Sequence, residues 1–480
     1  MYLIIMTERL TDEEVNKLMG ERPELAKQAY DQILGAGPTS PYVIGRQATI
    51  NIGTIGHVAH GKTTVVKAIS GVNTIKFSDE MKNNITIKLG YANTKIYRCP
   101  KCPEPVCYKS FGSEMSDTVQ CDNAECGSTL DLIRHISFVD CPGHDNLMAI
   151  MLTGAAVMDA ALLLVAGNMT CPQPQTSEHL AAVDIMQLNK IIILQNKIDL
   201  VFSIEGEAEK NHQEIMRFIQ GTKAQNSPIV PISAQFRYNI DVVLQYLVNY
   251  IPIPIRDLTS SPRFMVVRSF DVNKPGFTMD QLRGGIAGGS VLRGVLKVGD
   301  EIEIRPGRIT KNTETGVVTC TPITSVIKTM NAEKNDLLYA IPGGLIGIGL
   351  TIDPFLTKRD ALVGNLIGYK GELPDIYYQL DIEYKLMIRL IGVKLDSHNQ
   401  ADQVRSIATN ETLMINVGTT STGSTVLKIN SEKQVIRVEL TKSVCTTIGD
   451  QVAISRRISN KFRLIGWGKI TGGKKHEMAN

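Results

Sequence analysis

The sequence lacks the features that would place it outside the class of ordinary globular proteins. It has no internal repeat of solenoid period and no low-complexity segment. With 43% hydrophobic and 21% charged residues, it also lacks the composition of a disordered chain. Because single hydrophobic cores stop growing near about 250 to 300 residues, a chain of 480 residues is expected to form two or three domains.

Signals for export and for membrane insertion are also lacking. The apolar opening, Met1 to Met6, has no basic residue before it and is followed by acidic residues, so it does not fit a secretory signal. The most apolar stretch, Met148 to Gly167, is long enough to span a bilayer, but Asp159 separates a helix-like half from a strand-like half. We interpret this stretch as buried core and expect a cytoplasmic protein that does not bind a membrane.

Positive charge is concentrated at the end of the chain. The net charge of the whole chain is +3, but residues 431–480 contain ten Lys and Arg against four acidic residues, a local charge of +6. This asymmetry suits contact with a polyanion. A solvated basic tail would have the same composition, so charge alone does not decide between the two.

The pattern of apolar residues predicts the domain organisation. Residues 1–45 form an N-terminal extension with helical periodicity between residues 7 and 34. Residues 46–257 alternate apolar strands with amphipathic helices, which predicts a mostly parallel sheet with helices on both faces and a cysteine-rich insertion at about residues 98–128. The predicted strands are Thr49–Ile55, His135–Asp140, Ala160–Ala166, Ile191–Gln195 and Pro228–Ile232.

Beyond a proline-rich linker at Ile251–Pro262, the pattern changes to short strands and glycine-rich turns, as in Val291–Ile304. A second break lies at Gly371–Pro374. We therefore predict two β-barrel domains, residues 258–370 and residues 371–480. The predicted fold class is multi-domain, with an α/β domain of the phosphate-loop type followed by two β domains.

A phosphate-binding loop follows the first predicted strand. Residues Gly56–Thr63 fit the pattern of a glycine, four residues and Gly-Lys-Thr, directly after the strand Ile50–Ile55, which is the context that this motif requires. Glycines let backbone N–H groups surround phosphate oxygens, Lys62 neutralises the terminal phosphates and Thr63 ligates magnesium. The alternative is a chance glycine-rich turn.

Further residues are expected at the γ-phosphate. Asp140–Gly143 ends the strand Ile136–Val139, which puts a carboxylate in the outer coordination sphere of magnesium and a glycine N–H at the γ-phosphate. Thr86 lies in the segment that would close over the γ-phosphate, although a threonine in a strand is ordinary in itself. His144 either orients the attacking water or is an ordinary surface histidine. Loss of the γ-phosphate would release both loops, so hydrolysis becomes a conformational signal.

Two motifs at strand ends predict that the base is guanine. Asn196–Asp199 follows the strand Ile191–Gln195, and the Asp199 carboxylate can accept hydrogen bonds from N1 and N2 of guanine. Adenine offers no such pair of donors and would leave the carboxylate desolvated without a partner. Ser233–Gln235 would supply a backbone N–H to guanine O6. Four motifs in the required order at strand ends indicate GTP as the ligand.

The cysteines are unevenly spread, since five of the nine fall between Cys99 and Cys126. In a reducing compartment this points to a metal site rather than to disulfides. Cys99 with Cys102 and Cys121 with Cys126 can close a tetrahedral thiolate site around Zn²⁺ and so fold the insertion. Cys107 could replace Cys99 as a ligand, and reduced thiols without metal are the alternative.

Together these motifs resemble those of one family, the gamma subunits of eukaryotic and archaeal translation initiation factor two, among the translational GTPases similar to elongation factor Tu. The resemblance extends from about Gln47 to the C-terminus. Its diagnostic stretches are Asn84–Asn93, Phe138–Asp145, Ala166–His179 and Ser269–Gly276.

The resemblance implies a GTPase domain and two β-barrels that bind initiator methionyl-tRNA when GTP is present and deliver it to the small ribosomal subunit. It also implies alpha and beta partner subunits, release of the tRNA after hydrolysis stimulated by a GTPase-activating factor, and recharging by an exchange factor. GTP or GDP, Mg²⁺ and Zn²⁺ are the expected ligands. The basic C-terminal domain would face the tRNA acceptor arm and make affinity depend on salt.

Position by position, the resemblance assigns roles to residues of this chain. It places magnesium on Thr63 and Thr86 and water positioning on His144, beside an apolar gate of Val58 and Ile85. The nucleotide contacts that it implies are Val58, Ala59, His60, Gly61, Lys62, Thr63, Thr64, Asp140, Gly143, Asn196, Lys197, Asp199, Ser233, Ala234 and Gln235.

Asn84 and Tyr91 are candidate transmitters between the switch and the tRNA end, since single-stranded ends are held by stacking and polar contacts. One position departs from the elongation-type relatives, which commonly have Asp where this chain has Ala59. We therefore expect slow intrinsic hydrolysis and strong reliance on an activator.

Three other functions are alternatives: an elongation-type GTPase that delivers aminoacyl-tRNA, a metabolic GTPase subunit such as one driving sulfate activation, and a scaffold that binds GTP without turnover. The insertion Cys99–Cys126 and the stretch Gly90–Asn93 disfavour the metabolic subunit.

Overall fold

The computed structural model describes most of the chain. The described residues are 40–75, 80, 86, 88–144, 147–274, 276, 284–311, 318–388, 390, 403–458 and 461–476. The periodicity predicted for residues 7–34, together with Asn84 and Ile85, lies outside them. Two compact units are present, one containing Pro38–Ile255 and the other containing Arg256–Ile388 and Val404–Asn480.

The first unit is built on a sheet of eight strands. The strands are β1 (Ile50–Gly56), β2 (Gly90–Arg98), β3 (Tyr108–Gly112), β4 (Val119–Gln120), β5 (Thr129–Asp140), β6 (Ala160–Ala166), β7 (Ile191–Asn196) and β8 (Ile229–Pro231). The helices among the described residues are α1 (Pro41–Ile44), α2 (Lys62–Ser70), α3 (Met148–Ala155), α4 (Pro174–Ile185), α5 (Glu207–Ile219) and α6 (Ile240–Asn249).

Buried apolar strands form the centre of this sheet, in the order β3-β2-β5-β1-β6-β7-β8. β1 pairs in parallel with β5 and β6, β6 with β7, and β7 with β8. Every residue of β1, β6 and β7 is buried, as expected for parallel strands that are covered on both faces. The predicted mostly parallel sheet is confirmed, and the strand predicted at Ala160–Ala166 has the observed limits.

β2 extends the sheet antiparallel to β5 and was not among the predicted strands. Polar residues in its middle interrupt the apolar pattern that identifies a strand. Thr94 Oγ1 donates to the carbonyl of Phe111 at 2.9 Å, and Lys95 Nζ donates to the carbonyl of Met115 at 2.6 Å. Both side chains are buried, because these internal partners replace water.

The second unit contains two closed six-stranded barrels, which confirms the predicted β domains. The strands of its first part are β9 (Arg263–Phe270), β10 (Ile286–Arg293), β11 (Leu296–Lys297), β12 (Glu301–Lys311), β13 (Val318–Ala332), β14 (Asn335–Leu337), β15 (Tyr339–Ala340), β16 (Ile346–Leu350) and β17 (Leu366–Tyr369). Pairing of β12 with β13 closes the ring β12-β17-β9-β10-β16-β13.

The second barrel has the order β18-β21-β20-β19-β22-β23. Its strands are β18 (Ile376–Leu386), β19 (Thr412–Val417), β20 (Thr420–Asn430), β21 (Val435–Cys445), β22 (Gln451–Ile458) and β23 (Lys461–Lys475). Within the described residues, no helix has the length and apolar character needed to cross a membrane.

A buried ion pair holds the segment between the two barrels. Arg305 donates to the Glu303 carboxylate at 3.0 Å and to the carbonyl of Leu373 at 2.8 Å. Glu303 also accepts from the N–H of Gly371. These contacts lie at the predicted break, Gly371–Pro374, whereas the predicted domain limits themselves stay predictions.

Candidate nucleotide-binding site

Four loops meet at one edge of the sheet in the first unit. β1, β5, β7 and β8 share one direction, so the segments that follow them lie at the same edge. They border a cleft of about 630 Å³, the nucleotide cleft, which has the size of a small-ligand site. Its lining residues are Val58, Ala59, Gly61, Lys62, Thr63, Thr64, Lys67, Ala68, Asn73, Ile75, Thr86, Gly143, His144, Lys197, Ala234, Gln235 and Arg237.

The phosphate-binding loop needs glycine before α2. Gly61 precedes this helix with a φ of 89°, a left-handed conformation that residues with a Cβ rarely adopt. A Cβ at this position would lie 2.3 Å from Asn196 Nδ2, so the glycine also lets the loop approach the base-binding motif. Ala59 has a left-handed φ of 63° without being glycine. The N-terminus of α2 adds positive potential beside the loop.

The Lys62 side chain is buried against the loop that precedes it. Its Nζ donates to the carbonyl oxygens of Gly56, at 2.9 Å, and His57, at 2.8 Å. Burial lowers the pKa of Lys62 to about 8, an effect that the Asp140 carboxylate opposes. A Cβ on Gly143 would lie 2.3 Å from Nζ, so a larger residue where the second motif passes the lysine would displace the lysine side chain.

Hydroxyl and carboxylate oxygens gather beside the lysine. Thr63 Oγ1 donates to Asp140 Oδ2 at 2.6 Å and lies 3.1 Å from Thr86 Oγ1. Mg²⁺ binds oxygen at about 2.0–2.1 Å in an octahedron, so adjacent ligands lie about 3.0 Å apart. The two threonine hydroxyls therefore fit as neighbouring ligands of one magnesium ion. The structure brings the predicted pair together, and its role stays a prediction.

One amide side chain joins the motifs that are predicted to bind the base. Asn196 Nδ2 donates to the carbonyl of His60 at 2.9 Å, and its Oδ1 accepts from the N–H of Ala234 at 3.1 Å. The N–H of Ala234 belongs to the loop predicted to bind guanine O6. Because it donates to Asn196, this particular N–H already has a partner. Ser233 is buried, and its N–H donates to the carbonyl of Tyr238 at 3.3 Å. Asp199 lies in the short 3-10 turn Ile198–Leu200, half-buried and outside the cleft lining.

The residues predicted to respond to the γ-phosphate lie in two places. His144 lines the cleft next to Gly143 and is half-buried. Tyr91 lies on β2 in register with Val139, and its neighbour Gly90 is in register with Asp140. Tyr91, the predicted transmitter, therefore directly follows the residue that is paired with Asp140.

Two buried histidines make hydrogen bonds that hold the phosphate-binding loop. His179 on α4 accepts the N–H of Gly56 on Nδ1 at 3.0 Å, and burial lowers the pKa of His179 to about 3. His60 Nδ1 lies 2.8 Å from the carbonyl of Leu164, and burial lowers its pKa to about 4. Sequence reasoning assigned His60 to the nucleotide and missed the role of His179. The only sequence signal was its place in the diagnostic stretch Ala166–His179.

Four cysteine sulfurs of the insertion come together. Those of Cys99, Cys102, Cys121 and Cys126 all lie within 4.8 Å of one another. The sulfurs of Cys99 and Cys126 are 3.4 Å apart, and those of Cys102 and Cys121 are 3.8 Å apart. Zn–S bonds of about 2.3 Å in a tetrahedron separate sulfurs by about 3.8 Å, so this donor set fits zinc. Cys107 is buried in the same hydrophobic core as Cys99, but its sulfur does not belong to the cluster.

Family models match three consecutive parts of the chain. The model described as "Elongation factor Tu GTP binding domain" matches residues 47–253, and "Elongation factor Tu domain 2" matches residues 284–368. "Initiation factor eIF2 gamma, C terminal" matches residues 378–470.

Known proteins are similar over nearly the whole chain. The eukaryotic translation initiation factor 2 subunit gamma of Schizosaccharomyces pombe is 58% identical over 439 residues, which cover 91% of this chain and 97% of that protein. The eukaryotic translation initiation factor 2 subunit 3 of Drosophila melanogaster is 57% identical over 439 residues, which cover 91% of each chain.

Solved structures share the fold at lower identity. The bacterial selenocysteine-specific elongation factor EF-Sec matches with a TM-score of 0.62 at 21% identity, over 88% of this chain and 58% of its own. Elongation factor SelB from Methanococcus maripaludis, in complex with the GTP analogue GppNHp, matches with a TM-score of 0.60 at 20% identity, over 90% of this chain and 80% of its own.

Replacement of His179 tests whether the fold holds this imidazole neutral. Its pKa falls from about 6.5 in the unfolded chain to about 3 on burial. Above the unfolded pKa, His179 is neutral in both states, and the folded state has its full stability with respect to this group. As pH falls toward the folded pKa, the free energy of unfolding decreases, because only the unfolded chain takes up the proton. We expect His179→Gln to reduce the acid dependence of the free energy of unfolding by about 1.4 kcal/mol per pH unit between about pH 6 and pH 4.

Urea unfolding at a series of pH values measures this slope. The matched control is His212→Gln, at an exposed position of α5, which should leave the slope unchanged. A wild-type slope in the His179 variant would contradict the assignment.

Proposed function

The chain belongs to the family of gamma subunits of eukaryotic translation initiation factor 2, which are GTP-hydrolysing initiation factors, and from this premise we propose that it carries initiator methionyl-tRNA to the small ribosomal subunit while GTP is bound. Membership in this family argues against a metabolic GTPase subunit and against an elongation-type factor as the function of the chain. We also propose a cytoplasmic location, because translation initiation takes place there.

The observation that carries the proposal is the meeting of two threonines beside one carboxylate. Thr63 is the second residue of α2, and Thr86 precedes β2, yet their hydroxyls lie 3.1 Å apart. A ligand that binds both must hold the segment before β2 against the phosphate-binding loop. Loss of the γ-phosphate removes part of that ligand and releases the segment, which is how GTPases convert hydrolysis into movement.

The remaining residues have complementary roles in this proposal. Lys62 neutralises phosphate charge, and a magnesium ion held by Thr63 and Thr86 supplies further charge neutralisation at the phosphate oxygens. His144 orients the attacking water in the cleft, whose lining also includes Val58. Ala59 contributes no polar group there, so we propose slow intrinsic hydrolysis that an activating factor accelerates.

The path from the nucleotide to the tRNA begins at β2. Gly90 is in register with Asp140, and Tyr91 follows it directly. Movement of the segment before β2 therefore acts on Tyr91, and we propose that Tyr91 and Asn84 pass the nucleotide state to the tRNA end. Alpha and beta subunits, an activating factor and an exchange factor complete the proposed set of partners.

The basic second barrel is the proposed contact for the tRNA acceptor arm. Arg437, Arg456 and Lys475 form ion pairs with acidic residues that precede residue 431, so their charge is partly balanced within the barrel. Lys442 and Lys474 are exposed. Contacts of such lysines to phosphates make affinity fall with salt.

Filter binding of charged initiator tRNA tests the proposed function. We expect the chain to bind it about 5- to 150-fold more tightly with GTP than with GDP, which is the usual range of coupling between two sites. Elongator aminoacyl-tRNA is the control and should bind weakly in both states. Equal affinity with GTP and GDP would contradict a carrier and favour a GTP-binding scaffold, whereas equal binding of elongator tRNA would favour the elongation-type alternative.

We further propose that Cys99, Cys102, Cys121 and Cys126 bind zinc and thereby fold the insertion. Glu104 of the insertion accepts from Gln245 on α6 at 2.6 Å, so a folded insertion has a fixed contact with the rest of the unit. Thiolate sites of this kind supply folding free energy to loops with little core of their own.

Metal analysis of cysteine variants tests the ligand set. Wild-type protein should contain one zinc ion per chain, and Cys102→Ala should contain almost none, because three thiolates bind zinc far more weakly than four. Cys107→Ala is the matched control, since this buried cysteine lies outside the cluster, and it should keep its zinc. Loss of zinc from Cys107→Ala with retention in Cys99→Ala would support the alternative ligand set.

A further inference from the structure

Thr74 reaches the carboxylate beside the candidate magnesium site, although no sequence motif includes it. It follows α2 in the loop 71–75, and its Oγ1 donates to Asp140 Oδ2 at 2.6 Å. The same oxygen accepts from Thr63 at 2.6 Å, and the second oxygen of Asp140 accepts from Thr54 at 2.8 Å. Asp140 is fully buried, so these hydroxyls replace the water that an exposed carboxylate would bind.

Two hydroxyls on one oxygen restrict how the carboxylate can turn. An ionised carboxylate only accepts hydrogen bonds, and bonds to a charged group are about twice as strong as bonds between neutral groups. Thr63 donates its proton to Asp140, which leaves its oxygen lone pairs for a cation. The direction in which the Thr63 lone pairs point therefore depends on the position of Asp140 Oδ2. Thr74 is the second hydroxyl, after Thr63 itself, that fixes this position.

The neighbours of Thr74 place the same loop on the nucleotide cleft. Asn73 and Ile75 both line the cleft, and Asn73 Oδ1 accepts the N–H of Ile75 at 3.2 Å. Thr74, between them, is buried and does not line the cleft. A Cβ on Gly90 would lie 2.7 Å from the Cβ of Thr74, so glycine is required where β2 begins beside this threonine.

We propose that Thr74 is a positioning residue of the magnesium and guanine-nucleotide site. Its hydroxyl holds Asp140 in the orientation that presents Thr63 to the cation, and its backbone places Asn73 and Ile75 on the cleft wall. This inference rests on the proposed function, because it assumes that the cleft binds a magnesium nucleotide. It adds a residue that acts through Asp140 and does not itself contact phosphate or metal.

Release of a fluorescent GDP from the full-length chain, measured over a range of Mg²⁺ concentrations, tests the proposal. Thr74→Val removes the hydroxyl and keeps the shape of the side chain, and Thr74→Ser keeps the hydroxyl. We expect Thr74→Val to need about tenfold more Mg²⁺ for half-maximal retention of GDP, consistent with the loss of one buried hydrogen bond to a charged group. Thr74→Ser should need about the same Mg²⁺ concentration as the wild type.

The matched control is Thr94→Val, which removes another buried threonine hydroxyl from the same unit, one that bonds the carbonyl of Phe111. It should leave the magnesium dependence unchanged. If Thr74→Val does not fold, as judged by circular dichroism, Thr74→Ala and Thr74→Ser carry the same comparison.

The outcomes separate this inference from the proposed function. If wild-type protein retains GDP in a magnesium-dependent way and Thr74→Val has the same dependence, only the role of Thr74 is overturned. Faster release that is equal with Mg²⁺ and with a chelator would also overturn it, because Thr74 would then act on the cleft wall alone. If wild-type protein shows no magnesium-dependent retention of GDP, the proposed function fails together with the inference.

Discussion

The geometry of the nucleotide cleft depends on one buried carboxylate. Asp140 ends β5, and its oxygens accept hydrogen bonds from the hydroxyls of Thr54 on β1, Thr63 on α2 and Thr74 after that helix. A carboxylate removed from water is strongly destabilising unless it is hydrogen-bonded. The bonds that make its burial tolerable also fix the elements that carry the phosphate-binding loop and the cleft wall. Stability of the first unit and construction of the site therefore depend on the same contacts.

The sequence predicted the parts of this site that follow from local order. Four parallel strands place their following loops at one edge, so motifs such as Asn196–Asp199 could be located from the strand before them. The strand Ala160–Ala166 was predicted with its observed limits because its apolar run is uninterrupted. The family, the α/β domain and the two barrels are confirmed by the relatives and by the fold.

Contacts between distant residues could not be predicted in this way. Thr74 bonds a carboxylate 66 residues away, and His179 accepts an N–H 123 residues away. Nothing in the local pattern distinguishes these side chains from ordinary ones. Cysteine spacing likewise left Cys107 and Cys99 as alternatives, and the fold separates them by placing the sulfur of Cys99, not that of Cys107, beside the other three sulfurs. β2 was missed because buried polar residues such as Lys95 break its apolar pattern.

The central prediction is that Asp199 selects guanine as the base, and calorimetry on the full-length chain tests it directly. With Mg²⁺ present, GDP is predicted to bind at least about a hundredfold more tightly than ADP, because adenine leaves the carboxylate without its two donors. Asp199→Asn should lose this preference for GDP and gain affinity for xanthosine diphosphate, whose ring carbonyl can accept from the new amide. Equally tight binding of ADP and GDP by the wild-type chain would contradict the account.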